Sequence, residues 1–323
     1  MKKRLGIVCV VVLVLAIGWW LVPRGERNQR REGARPSVVK IARQQAMVLR
    51  PQAVPASVTP VEAPKAEVSQ LINVIVGQDE GTAHRYVARS EAIWKLGNEL
   101  PEEAVEALLV YLRSTEDVLR EERVDALKND ILNVLRAQKR ISPKLAETLI
   151  MMFDSQAYGV AMLDYCIQHL GALQEATETV EERNRIYDCL WRAALVPGAS
   201  YAGTALIALT HTPDEDDDRL HFLNERVAAL IYAEDTHPAA RVTAVQIAAE
   251  RGYAEVLPVL RRMAVDQSAA VPLRIVAIGA LGTFREVEDG VLLTRLRGED
   301  PNPRLRPAIE RAIECCQETK EPQ

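Results

Sequence analysis

From about residue 67 to the C-terminus, apolar residues recur at intervals of three and four, the spacing of helices with one buried face. Gly and Pro fall mainly between these stretches, at Gly97-Asn-Glu-Leu-Pro101, Ser142-Pro143, Pro197-Gly198, His237-Pro238 and Pro301-Asn-Pro303. The pattern predicts helix pairs over 82–114, 120–153, 156–195, 199–234, 237–266 and 270–297, then a last helix over 302–317. A helix with a single apolar stripe cannot bury it alone, so each pair needs neighbours.

Three C-terminal segments repeat one another. Asp235-Thr-His-Pro-Ala-Ala-Arg241, Ser268-Ala-Ala-Val-Pro-Leu-Arg274 and Asp300-Pro-Asn-Pro-Arg-Leu-Arg306 each end on an arginine. Apolar residues follow each arginine at offsets three, six and seven: Ala244, Ile247, Ala248; Ala277, Ala280, Leu281; Ile309, Ala312, Ile313. A period of about 33 residues marks a stacked array of helix pairs, which grows by adding units rather than by enlarging one core.

These units resemble HEAT-like repeats of the short bacterial variety first noticed in phycobilin lyases, whose unit reads roughly D-x-x-P-x-V-R-x-x-A-x-x-A-L-G. Asp300, Pro303, Leu305 and Arg306 match its opening, and Arg274, Ala277, Ala280, Leu281 and Gly282 match its body. An earlier echo is Arg89-Ser-Glu-Ala92-Ile-Trp-Lys-Leu96-Gly97, followed by Arg123 and Ala126. The match is close over 235–317, weaker over 82–153 and nearly lost over 156–234, where periodicity alone predicts the hairpins. The resemblance implies an all-α solenoid in which small residues let helices approach and Arg and Asp bridge neighbouring turns. It also implies that the second helices of the pairs line the concave face.

The first 66 residues differ in kind. Met1-Lys-Lys-Arg4 precedes eighteen uncharged, mostly apolar residues, Leu5 to Val22, with Trp19 and Trp20 at the end where indoles favour a membrane interface. This predicts an uncleaved anchor over 5–22; a cleaved signal peptide with Ala16-Ile-Gly18 as its small-x-small site is the alternative. Residues 23–66 hold six prolines and read as a basic, Pro-rich linker in which Val38 to Leu49 could form a short amphipathic helix. The expected organisation is therefore a basic start (1–4), an anchor (5–22), a linker (23–66) and a solenoid (67–323). Arg24, Arg27, Arg30, Arg31, Arg35 and Lys40 after the run pull the array towards the cytoplasm by count, but the export-like start leads us to expect the solenoid outside it on a single-pass tether, with a secreted form if the start is cleaved.

Charge sharpens this division. Residues 1–66 carry 12 Lys/Arg and 3 Asp/Glu, a formal charge of +9, which suits anionic head groups. The other 28 basic and 42 acidic residues leave −14, which argues against nucleic acid as a partner. Aromatics make up only 5% of the chain, so Ala, Leu, Val and Ile supply its apolar mass and suit close helix packing.

Strong catalytic signatures are missing. The five cysteines (Cys9, Cys166, Cys189, Cys315, Cys316) include no CxxC and no zinc-finger spacing, and read as small apolar side chains. His84, His169, His211, His221 and His237 are scattered, and no His-Glu dipeptide occurs, which removes the resemblance to HEAT-repeat di-iron hydroxylases. Asp214, Asp216, Asp218 and Glu225 imitate the spacing of a calcium loop. Arg219 stands where such a loop needs Gly, so the stretch reads as an acidic inter-helix loop. Tyr187, Trp191 and Tyr201, at helical spacing, read as core rather than as a ligand pocket. No phosphate loop, dinucleotide fingerprint or nucleophile elbow is present.

Arg262 and Arg295 lie 33 residues apart in one phase, so they should stack on successive second helices, with Arg261 and Arg297 beside them. Such a ladder on an acidic solenoid would select an acidic protein surface. The sequence thus predicts a membrane-tethered scaffold for protein partners, with no cofactor and no catalysis of its own. The alternative is a lyase-like or metal- or ligand-binding repeat protein.

Overall fold

The structure is a computed structural model that describes residues 65–212 and 217–317. The expected anchor, the linker up to residue 64 and the acidic stretch 213–216 lie outside the described residues. Among those described, the chain forms fourteen α-helices and no strand. They are α1 (Lys65–Ile75), α2 (Tyr86–Trp94), α3 (Glu102–Arg113), α4 (Glu121–Arg136), α5 (Lys144–Ser155), α6 (Val160–Ala176) and α7 (Val180–Ala194). The second half holds α8 (Tyr201–Thr210), α9 (Asp217–Tyr232), α10 (Pro238–Glu250), α11 (Leu257–Val265), α12 (Val271–Phe284), α13 (Val287–Glu299) and α14 (Arg306–Gln317). The six expected pairs are α2–α3 through α12–α13, with α14 as the last helix; α1 starts at Lys65, inside the stretch read as linker.

The helices stack in two rows. Each even-numbered helix from α2 to α14 packs on the next, while the odd helices contact one another closely only over α1, α3, α5 and α7. Beyond α7 the odd helices rest on the even row instead. One apolar cluster runs through the array, from Val68 in α1 to Ile313 in α14.

Small residues set the spacing of the even row. A Cβ added at Gly171 of α6 would stand 2.6 Å from Ala208 Cβ of α8, and one at Gly282 of α12 would stand 2.7 Å from Ala312 Cα of α14. At Gly282 the helix backbones meet, while at Gly171 the Ala208 methyl fills the space a Cβ would need.

A buried or half-buried cation closes the end of one odd helix after another. Arg89 of α2 donates from Nε to the Ile75 carbonyl at the end of α1 (2.8 Å), and Arg274 of α12 donates to the Ala264 carbonyl of α11 (3.0 and 2.9 Å). Arg241 of α10 donates to the Ala233 carbonyl just past α9, and Arg226 of α9 to the Ala194 carbonyl of α7 (2.7 Å). At the end of α3 this place is taken by Lys128 of α4, whose Nζ reaches the Leu112 (2.9 Å) and Ser114 (2.5 Å) carbonyls. Each cation satisfies orphan carbonyls and meets the negative end of the helix dipole.

Two of these arginines also reach forward. Arg89 pairs with Asp117 and Arg274 with Asp300, the acids that open the following repeats. The same acids accept the N–H two residues on, from Leu119 and Asn302, which shapes the turn. Burial alone would raise the Asp117 and Asp300 carboxyls, but the bonds from Arg, N–H and, at Asp117, the Tyr111 hydroxyl outweigh it and hold both below the usual carboxylate range.

Two expected bridging residues depart from this scheme. Arg123 is exposed in the first turn of α4, because the helix begins early enough for Lys128, a turn and a half later, to face the α3 terminus. Arg306 is exposed in the first turn of α14.

Candidate functional site

Three of the four arginines singled out by spacing line one groove of about 320 Å3 between α11 and α13: Arg261, Arg262 and Arg295, with Val265, Leu292, Glu288 and Asp289. The fourth, Arg297, lies apart in a smaller hollow of about 180 Å3 beside Asp300 and Arg306. The periodicity placed Arg262 and Arg295 in one phase, and the two rows of the array bring them together.

The three arginines of the groove are not equivalent. Arg261 donates from Nε to Asp289 Oδ1 at 2.6 Å and lies 3.3 Å from Glu288 Oε2. The hydrogen bond to Asp289 is the main reason its pKa is raised. Asp289 is fully buried, so Arg261 serves chiefly to neutralise it. Arg262 is exposed and forms no ion pair among the described residues. Arg295, with 63% of its side chain exposed, has only a 3.9 Å approach to Glu299 one turn on, which is worth little in water. The groove thus offers two available guanidinium groups over an apolar floor. Beside it, Val287 and Val291 are 78% and 70% exposed on the α13 face that also carries Arg295, at spacing i, i+4, i+8.

The other candidates disperse. His84, His211 and His221 are exposed, and His237 caps α10 by accepting the Ala239 N–H at its Nδ1 (3.2 Å). His169 is buried between α6 and α4, with Nε2 3.0 Å from Asn129 Oδ1. Burial, with Arg136 nearby, pushes its pKa down to about 3, so it is neutral. Tyr187 and Trp191 stack on α7 at 6.4 Å with the Arg219 guanidinium over the Tyr187 ring, whereas Tyr201 packs edge-on against Phe153 at 5.4 Å. Cys166 and Cys189 are buried, and burial pushes both thiols up to about 12. Among the described residues, no group of three or more His, Cys, Asp or Glu could hold a metal ion, and no helix is long and apolar enough to cross a membrane.

The larger groove lies at the other end of the array. About 740 Å3 opens between α1, α3 and α5, floored by Ile72, Val76, Ala107 and Val110 and rimmed by Glu102, Glu103, Glu106 and Lys144. Residue spacing does not announce it. Its parts come from three helices in unrelated phases, and two of its glutamates stand in a first turn, where the helix dipole favours acids anyway.

Residues 226–314 match the family described as HEAT repeats, so the C-terminal part of the array consists of HEAT-like repeats. No curated protein matches the chain. Among solved structures, human deoxyhypusine hydroxylase in complex with glycerol is similar over 79% of this chain and 97% of its own, at 14% identity and a TM-score of 0.33. A likeness this distant carries no argument about activity.

Proposed function

We propose that the chain is a membrane-tethered HEAT-repeat scaffold that holds a protein partner and performs no chemistry of its own. The observation that carries this reading is the α11–α13 groove, where Arg262 and Arg295 from successive repeats stand exposed over Val265 and Leu292, with only the long Arg295–Glu299 approach to offset their charge. Two guanidinium groups beside apolar surface suit an acidic, amphipathic protein segment, because guanidinium pairs bidentately with carboxylate. The apolar run Leu5–Val22 supports a tether, and the export-like start, Lys2 to Arg4 ahead of that run, favours an extracytoplasmic array against the larger count of basic residues after it.

Two experiments test the reading. A photo-crosslinking residue at Val265 in the full chain, in its native cell, should capture a protein through an acidic segment; capture through a basic or uncharged one contradicts the proposed recognition. Protease added to intact cells or spheroplasts should degrade the array, and full protection contradicts the extracytoplasmic placement.

A further inference from the structure

The groove between α1, α3 and α5 differs in sign from the one at α11–α13 and is more than twice its volume, 740 against 320 Å3. Its floor is apolar and open, and Val110, one of the residues lining it, is 53% exposed. On α3, Glu103, Ala107 and Val110 follow at i, i+4 and i+7 and so share one face. That face presents an acid at one end and apolar surface along the rest.

The charges around the groove are unevenly matched. Glu106 has two cations, Lys144 at 2.7 Å and Arg113 at 3.7 Å. Both the Lys144 and Glu106 side chains are substantially exposed, at 57% and 41%, so another cation can replace Lys144 at small cost. Glu102 and Glu103 are exposed and form no ion pair among the described residues. First-turn placement accounts for an acid at these two positions. It does not account for Glu106 a turn later, nor for the uncovered apolar floor they border.

We infer that this groove is a docking site for a cationic amphipathic helix of a partner protein. Apolar side chains on one face of that helix would cover Val76, Ala107 and Val110, and its Lys or Arg residues would pair with Glu102, Glu103 and Glu106, the last by displacing Lys144. An apolar groove edged by carboxylates fits a helix of this kind and disfavours an acidic one. The array then carries two docking sites of opposite preference, one near each end, and can hold two different partners. This assignment rests on different residues from the α11–α13 reading and stands or falls separately.

The probe is a labelled amphipathic Leu/Lys peptide of about four helical turns, with its Leu/Glu counterpart as the control. Binding is measured on the full chain in zwitterionic nanodiscs, with empty nanodiscs as the blank. The Leu/Lys peptide should bind and the Leu/Glu peptide should not. Glu102→Gln with Glu103→Gln should weaken binding roughly ten-fold. Val110→Gln, which leaves the charge unchanged, should weaken it as well. Glu178→Gln with Glu181→Gln, exposed acids elsewhere, should leave it unchanged. Binding indifferent to both groove variants, or weakened as much by the Glu178/Glu181 pair, overturns the inference. So does a dimer of the chain that Val110→Gln dissociates, because a second copy would then be the occupant.

Discussion

Arg89 and Asp117, 28 residues apart, are joined by two parallel hydrogen bonds, Nη1 to Oδ1 at 3.0 Å and Nη2 to Oδ2 at 2.9 Å, with the Tyr111 hydroxyl closing the ring at 2.8 and 2.5 Å. The same guanidinium donates to the carbonyls of Ile75 and Ala83, so one buried side chain ties α1, α2 and the turn that opens the next repeat. Arg89→Ala leaves a buried carboxylate and orphan carbonyls, and should cost about 3–5 kcal/mol. Arg89→Leu should cost a similar amount despite filling the volume. Because repeat arrays unfold in parts, hydrogen exchange over α1–α3 is the measurement; protection there should fall while α10–α14 stay protected.

Gly171 and Ala208 form a contact that can be exchanged. A Cβ on Gly171 meets the Ala208 Cβ at 2.6 Å but its Cα only at 3.6 Å. Gly171→Ala should therefore destabilise by about 1–3 kcal/mol, and adding Ala208→Gly should restore most of the loss. At Gly282 the obstacle is the Ala312 backbone itself, at 2.7 Å. There Gly282→Ala should destabilise and Ala312→Gly should not rescue it. Urea midpoints of the four variants decide both claims.

Stability should fall on mild acidification through His169. Its folded pKa of about 3 lies below the ordinary 6.5, so between those values the unfolded chain takes up a proton that the folded chain refuses. Stability therefore rises with pH across this window and is lost as pH falls. At pH 5 the loss from this residue is about 2 kcal/mol relative to neutral pH. His169→Gln should remove that share, and the pH 7 to pH 5 drop in urea midpoint should shrink accordingly. Asp117 and Asp300, with lowered pKa values, add to the loss only below the ordinary carboxylate pKa of 3.8.

Thiol chemistry should separate the cysteines. Cys166 and Cys189 are fully buried and hold their protons to about pH 12, while Cys315 and Cys316 are half-buried near the end of α14. Brief alkylation of the folded chain, read by peptide mass spectrometry, should leave Cys166 and Cys189 unmodified until denaturant is added.

The architecture was largely legible in the sequence. The 3.6 period and the Gly and Pro boundaries located the helix pairs even over 156–234, where the repeat motif is nearly lost. Arg274 and Asp300 announced their bridge because the motif keeps both residues. Lys128 was hidden, since a lysine in a helix is ordinarily solvated and only the early start of α4 turns it inward; burial then lowers its pKa to about 8. Arg262 and Arg295 could be paired from spacing, because stacking preserves phase. Arg297, two residues on from Arg295, was grouped with them by proximity along the chain, but two residues turn a helix by about 200° and carry it to another hollow. Nor could spacing reveal that Arg261 is taken by Asp289, a contact across two helices.

The central claim is that Arg262 and Arg295 together recognise an acidic partner segment. Its most direct test is the yield of the protein adduct formed by the Val265 crosslinker in the full chain. Arg262→Glu with Arg295→Glu should abolish the adduct, whereas Arg297→Glu should leave its yield unchanged. An adduct that survives the double charge reversal, or is lost equally with Arg297→Glu, would contradict the account.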